Sequence, residues 1–365
     1  RSTLFPYTTL FRSSIDDFVN WKRRRGMIVT VGYTDDPAVG TTSTSIANYV
    51  KSFYTNATAV LPAPTYLLIV GDHDQVPAFS SRCSSPASDH ITDLYYVTWD
   101  NDNVPDCYRG RFSAQNLTQL TPQIDKTLLY EGYNFSDASY LTRGVLIAGV
   151  DGGYSGDNAY TYADPTMDYV AKTYVNLSNG FRTVKYYKNN TSFHPDGVSV
   201  TGSSQATATG SALRNLYNTG YGWVNYSAHG SETSWGDPEF TTSHVASMSN
   251  SGMPGIFIGN CCLTGKFEVS NCFGESLLRR GNNAGAVAYI GATNSTYWPH
   301  DFCWTVGVRS NFSNTMNTSY DASHLGMYDR LFHTHGENYT LWHNSLGSMI
   351  NRRSEERRVG KECRS

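Results

Sequence analysis

The sequence predicts an α/β fold of doubly wound, mainly parallel sheets, arranged in two subdomains with helices on both faces. Three observations predict it. Short apolar runs rich in β-branched residues recur along the chain. These runs are near-continuous rather than alternating, which suits parallel strands covered on both faces. Segments with helical character separate them, and strands alternating with helices build a parallel sheet.

Taken in order, the strand candidates are GMIVTV (26–31), YLLIV (66–70), GVLIAG (144–149), GWVNYSA (222–228), GIFIG (255–259) and AVAYIGA (286–292). The helical candidates between them are 44–56, 121–132, the stretch from Pro165 to about Val175, 211–218, 243–250 and 272–280. The last of these is followed by Gly281, a helix stop signal. A turn-rich, acidic stretch from Asp89 to Ala114 lies in the first half of the chain. The expected division is an N-terminal unit over 14–142, a second over 143–325, and a C-terminal part of that second region over 326–353. The ends, 1–13 (RSTLFPYTTLFRS) and 354–365 (SEERRVGKECRS), read as translated sequencing-adapter text and are expected to lie outside the fold. On that reading neither natural terminus is visible, and a signal peptide could not be seen.

Composition narrows the classes. Of 365 residues, 39% are hydrophobic and 13% aromatic, and this excludes a disordered chain. A net charge of −3 makes a nucleic-acid partner unexpected. No apolar run reaches the ~18 residues that a transmembrane helix needs. Cysteines are too sparse for a disulfide-dense scaffold, and none forms the paired spacing of a zinc site. There is no phosphate loop of the G-x-x-x-x-G-K type, so a nucleotide-binding reading has no support. His73, His90, His300, His333 and His335 show no zinc spacing.

In such sheets ligands sit beyond the carboxyl ends of the strands. The residues there are Asp72, Asp151, His229-Gly230, Asn260-Cys261-Cys262 and, further on, Tyr297, Trp298 and Asp301. One helical segment separates the strand before His229 from the strand before Cys262. That spacing fits a right-handed crossover and makes the two strands neighbours or near-neighbours. A thiolate is the reactive form of cysteine, and an adjacent imidazole promotes it. The Gly230 and Cys262 backbone N–H groups could together hold a tetrahedral oxyanion. From spacing alone, a buried structural cysteine and a satisfied histidine are the more usual outcome.

The strings YSAHGSETSWGDP, IGNCCLTGKFEVSNCFGE and AYIGATNSTYWPHDFCWTVG closely resemble the gingipain family of cysteine peptidases, within the caspase-like fold group. The likeness is nearest to the lysine-specific branch and densest over 221–308. It implies a cysteine endopeptidase cutting after Lys. His229 falls on the family's catalytic histidine and Cys262 on its nucleophile, with Asp151 (in IAGVDGG) as the third catalytic member. Asp157, Asp164 and Asp168 are fallbacks for that aspartate. Strand alternation turns Cys261 away from the site. The resemblance assigns Asp301 to the base of the lysine pocket, Tyr297 and Trp298 to its walls, and Ser227 and Asn260 to its polar groups. The Pro-His dipeptide before Asp301 departs from the family pattern. Glu232 and Trp235 are expected to brace the histidine loop, and Glu275 to be a helix residue.

A calcium site is the remaining expectation. WDNDNVPDC offers Asp100, Asp102, the Val104 carbonyl and Asp106, hard oxygen donors suited to Ca²⁺. The resemblance adds Asp72. The ion would be structural, and no organic cofactor is expected. Protein or peptide substrates and a secreted or cell-surface location are likewise implied by the resemblance. The alternatives are an Arg-preferring peptidase, a transpeptidase or sorting enzyme of the same family, and a non-catalytic binding or adhesin module on this scaffold.

Overall fold

The computed structural model describes residues 2–7, 11–80, 90–100, 104–149, 159–188, 198–202, 208–307, 315, 318–339 and 344–350. The chain divides into two units. The first holds residues 1–128 together with the stretch from Ser345, and the second runs from Leu129 to Asn344. The division therefore falls earlier than the expected 142/143, and the chain returns to the first unit near its end. That return is a packing event: Gly347 lies so close to Tyr108 that a Cβ there would stand 2.6 Å from the tyrosine Cβ.

The first unit contains a parallel sheet of β1 (Ser2–Tyr7), β2 (Ile28–Tyr33), β3 (Pro64–Val70) and β4 (Tyr108–Phe112), in the order β2-β1-β3-β4. β1 comes from the segment 1–13 that the sequence reading set aside. Its residues Leu4, Phe5 and Tyr7 have strand propensity, and it fills the position between β2 and β3. Pro6 in that central position supplies no N–H to the ladder. One face of the sheet meets Ile46 and Val50 of α2 (Ser43–Thr55). The other packs on Phe18 and Val19 of α1 (Asp16–Arg24) and on Leu120 and Ile124 of α3 (Leu117–Glu131).

The second unit is built on six parallel strands: β5 (Arg143–Ala148), β6 (Thr183–Lys188), β7 (Val198–Gly202), β8 (Trp223–Ser227), β9 (Gly255–Asn260) and β10 (Ala286–Gly291). Their order is β10-β9-β8-β5-β6-β7. The chain runs outward from β5 to β7, then returns to the other side of β5 and runs outward again. The switch point lies between β5 and β8, where an open α/β sheet leaves a crevice beyond its strand ends.

Side-chain alternation gives the sheet two covered faces, and α4 (Asp164–Thr173) lies between β5 and β6 in the chain. Val145, Ile147, Val224, Tyr226 and Phe257 join a core with Leu213 and Tyr217 of α5 (Gly210–Asn218), Val245 of α6 (Thr242–Ala246), and Phe273 and Leu277 of α7 (Phe273–Arg279). Trp223, Asn225 and Asn260 point the other way. They meet α8 (Trp298–Val306) and α9 (Met327–Leu331) through hydrogen bonds described below. The doubly wound expectation holds in each unit.

Candidate active site

β8 and β9 are direct neighbours, with Ser227 opposite Asn260. His229 and Cys262 each follow two residues beyond that pair, so both leave the sheet at neighbouring strand ends. The close approach is visible at Gly230. A Cβ on Gly230 would stand 2.7 Å from the Cys262 carbonyl oxygen and 2.9 Å from the Cys261 sulfur. Only glycine fits there, so its place in the sequence is a packing requirement.

The histidine loop is a tight hairpin. Gly236 donates its N–H to the His229 carbonyl at 2.9 Å, making 229 and 236 a hydrogen-bonded pair. Gly230, opposite Trp235, is then a non-bonded pair whose N–H points away from the hairpin. That is the orientation an oxyanion donor needs. Tyr226 clamps the loop from below: its hydroxyl donates to the His229 carbonyl at 2.6 Å and accepts from Gly236 and Asp237 N–H, both at 3.1 Å. Trp235 is buried and stacks on Tyr226, with ring centroids 4.7 Å apart and planes within 7°. Glu232 accepts the Phe273 N–H on its carbonyl and pairs with Lys266 at 3.4 Å. Both residues brace the loop.

The adjacent cysteines occupy different environments. Cys261 is 1% exposed within the apolar core, and burial pushes its thiol well above the ordinary range. Its sulfur lies 3.5 Å from the Thr264 hydroxyl. Cys262 is half-buried on the opposite side, and both are free thiols. Leu263, next in sequence, has φ +62°, a left-handed conformation that costs a non-glycine residue on the order of 1 kcal/mol or more. The chain thus turns sharply after the exposed sulfur.

One segment, 296–301, reaches the thiol, the imidazole and the acid. Thr296 donates its backbone N–H to the Cys262 sulfur at 3.3 Å. The Cys262 thiol faces the Thr296 carbonyl at 3.6 Å and its hydroxyl at 3.8 Å. The same hydroxyl donates to Asp301 Oδ2 at 2.7 Å. Trp298 packs edge-on to the His229 ring, with centroids 5.3 Å apart at 81°. Burial pushes the Asp301 carboxyl up to about 7, partly countered by the Thr296 hydrogen bond. Tyr297, 48% exposed, flanks the segment on the solvent side.

A family model for Peptidase family C25 matches residues 4–360. The chain belongs to Peptidase family C25. Its curated C25 relatives include a Lys-gingipain of Porphyromonas gingivalis, 35% identical over 323 residues, which is 88% of this chain but 17% of that protein. Gingipain R2 of the same species is 31% identical over 292 residues, 79% of this chain and 36% of that protein. This C25 chain thus spans a small part of the length of those relatives. A solved protease structure superposes with a TM-score of 0.80 at 31% identity, covering 98% of this chain and 73% of that one. A crystal structure of the Arg-specific cysteine proteinase gingipain R shares the fold, with a TM-score of 0.74 at 24% identity. It covers 99% of this chain and 73% of that one.

Other residues read from the sequence have surroundings of their own. Asn260 is 3% exposed, and its amide donates to Thr305 Oγ1 at 2.8 Å and to the Asp301 carbonyl at 3.3 Å. It braces α8 beneath the acid. Ser227 is buried, and its carbonyl accepts the Gly149 N–H. Asp151 and Asp157 lie outside the described residues. Asp168 accepts the Tyr186 hydroxyl at 2.7 Å, and the Asp164 carbonyl accepts it at 3.2 Å. Glu275 is a helix residue, paired with Arg279 at 2.7 Å. Thr296 and Tyr226 are the residues that motif reading missed. Their signal was present: both sit within the matched strings, one residue from an assigned position.

The calcium expectation concerns the first unit. Asp72 is buried and accepts from the His73 N–H, the Ser113 hydroxyl and the Gln115 amide. Asp106 Oδ2 accepts the Trp99 N–H at 2.6 Å. Among the described residues no group of three or more His, Cys, Asp or Glu is gathered as a metal would require. Asp102 lies outside them. Asp72 and Asp106 thus accept protein donors. Among the described residues, no helix is long and apolar enough to cross a membrane.

Proposed function

We propose that this chain is a cysteine endopeptidase that hydrolyses peptide bonds on the carboxyl side of lysine. Cys262 is the nucleophile. Its proton passes to His229, the sulfur bonds to the scissile carbonyl carbon, and the carbonyl electron pair moves onto oxygen. The Gly230 and Cys262 N–H groups receive that oxyanion. Collapse breaks the C–N bond, and His229 returns the proton to the leaving amine. Water, deprotonated by the same imidazole, then attacks the thioester carbonyl, and the C–S bond breaks to free the acid product and the Cys262 thiol, which takes the proton back from the imidazole. Asp151 is assigned to orient His229, by family resemblance.

The observation that supports this reading is the single segment that bonds the Cys262 sulfur, packs on the His229 ring and carries Asp301. A lysine ammonium needs a carboxylate where it is desolvated, and Asp301 is a desolvated carboxylate within reach of the thiol. Its walls, Tyr297 and Trp298, suit the lysine stem and offer cation–π contact. Lysine is preferred over arginine because the relative of higher identity is a Lys-gingipain. Secretion or surface display and protein substrates follow from the same family resemblance.

A peptide-library digest read by mass spectrometry tests the proposal. Cleavage after Lys is expected. Cys262→Ala lowers kcat/KM by more than about 10³-fold. Cys261→Ala leaves it within a few fold and costs about 1 kcal/mol of stability. The reverse pattern for the two cysteines overturns the nucleophile, and cleavage after Arg alone overturns the pocket. The calcium reading is a separate proposal, supported by the donor chemistry of Asp100, Val104 and Asp106 close to Asp102. It expects EGTA to lower Tm, and an unchanged Tm sinks it.

A further inference from the structure

Asp301 and Cys262 share a single intermediary. Thr296 Oγ1 stands 2.7 Å from Asp301 Oδ2 and 3.8 Å from the Cys262 sulfur. A hydroxyl has one proton to give. When it is given to Asp301, the hydroxyl faces sulfur only with lone pairs, and the Thr296 carbonyl at 3.6 Å does the same. Both oxygens then face the sulfur as acceptors, and neither donates to it. The backbone N–H at 3.3 Å is the one opposing donor from this residue.

We propose that Thr296 is a positioning residue that couples filling of the specificity pocket to activation of the nucleophile. An alkylammonium entering against Asp301 brings three N–H donors to the carboxylate and replaces the one from Thr296. The released hydroxyl turns about χ1 and donates to the Cys262 sulfur. No covalent bond changes in this step; one hydrogen bond moves from oxygen to sulfur. The thiolate gains a second donor beside the Thr296 N–H, and the thiol proton leaves for His229 as in the reaction above. A substrate without a cation in that position leaves the hydroxyl on Asp301 and the sulfur without this second donor.

In its ionised form the desolvated Asp301 carboxylate is stabilised by the Thr296 hydrogen bond, and it keeps that donor until a cation arrives. The coupling rests on the assignment of Cys262 as nucleophile and Asp301 as pocket acid, and the experiment separates the two. Methyl methanethiosulfonate labelling of Cys262 at pH 8, where Asp301 is largely ionised, is timed with and without n-pentylamine, which mimics a lysine side chain without a scissile bond. Wild-type labelling is expected to rise about tenfold with the amine, the worth of one charge-assisted hydrogen bond. Thr296→Ser keeps the rise. Thr296→Val, nearly isosteric, loses it, and on a lysine peptide its kcat falls about tenfold with KM little changed.

A wild-type rate that stays level or falls with amine, while lysine peptides are still cut, overturns the coupling and leaves the proposed function standing. The same amine response in Thr296→Val also overturns it. Absent lysine cleavage with no labelling of Cys262 removes the underlying function instead. Should Thr296→Val fail to fold, the wild-type and Thr296→Ser measurements still decide.

Discussion

Asp301 shows how one residue carries two opposed requirements. Binding a cation needs the carboxylate charged, while its desolvated setting favours the acid and pushes it up to about 7. The folded value lies above the unfolded one, so the native state keeps a proton that the unfolded chain has released between about pH 4 and 7. The stabilising effect of that proton is complete below the unfolded value and is lost as pH rises through the folded one. Asp301→Asn is therefore expected to be more stable than wild type at pH 8, by about 1–2 kcal/mol, and level with it at pH 4. Urea unfolding of both proteins at the two pH values measures this, and an equal difference at both would contradict it. In activity, kcat/KM for lysine peptides should fall below about pH 7 more steeply than for peptides with a neutral side chain there. At this scale the sequence was partly legible. Cys262, His229 and Asp301 stood in long matching strings. Thr296 did not announce itself, because its role lies in two distances rather than in an unusual residue type.

Among elements, the six strand candidates of the sequence are strands within about two residues, and five of the helical candidates became helices of similar length. Continuous β-branched runs made them legible. The helix expected over 243–250 is only Thr242–Ala246, cut short where Ser247 and Asn250 turn the chain. Strands Tyr108–Phe112, Thr183–Lys188 and Val198–Gly202 were missed because arginines, lysines and glycines interrupt their apolar pattern. Arg111, for example, is buried in a 2.7 Å pair with Asp93, which periodicity reads as surface. The hairpin after His229 is the element with most bearing on function, and Tyr226 holds it. Tyr226→Phe keeps the stack on Trp235 but leaves the Asp237 N–H without its hydroxyl acceptor. Stability should drop by about 1–3 kcal/mol. A loosened His229 should lower kcat with KM nearly constant. Thermal denaturation and steady-state kinetics on one preparation check both, and unchanged kcat would make the clamp purely structural.

Across the second unit as a whole, the polar face of the sheet is tied together by a network that no single motif contains. Trp223 Nε1 donates to the Tyr328 hydroxyl at 2.7 Å, and that hydroxyl donates to Asn225 Oδ1 at 2.7 Å. Asn225 Nδ2 donates to Asn260 Oδ1 at 2.9 Å, and Asn260 passes the chain to Thr305 and the Asp301 carbonyl. Tyr328 and Asn225 are wholly buried, so each bond forms in a low-dielectric interior where an unpaired partner is costly. The network joins residues more than a hundred positions apart, which no local pattern in the sequence could disclose. If the network acts as a unit, its members lose energy together. Tyr328→Phe and Asn225→Ala should each cost about 2–3 kcal/mol. The double variant should cost at least about 1 kcal/mol less than the two combined, since the second deletion finds its partners already unpaired. Both changes should also weaken kcat/KM for lysine peptides, because Asn260 positions the first turn of the helix that carries Asp301. Strict additivity in urea unfolding, with kcat/KM untouched, would show that the bonds act singly and that the acid is held by α8 alone.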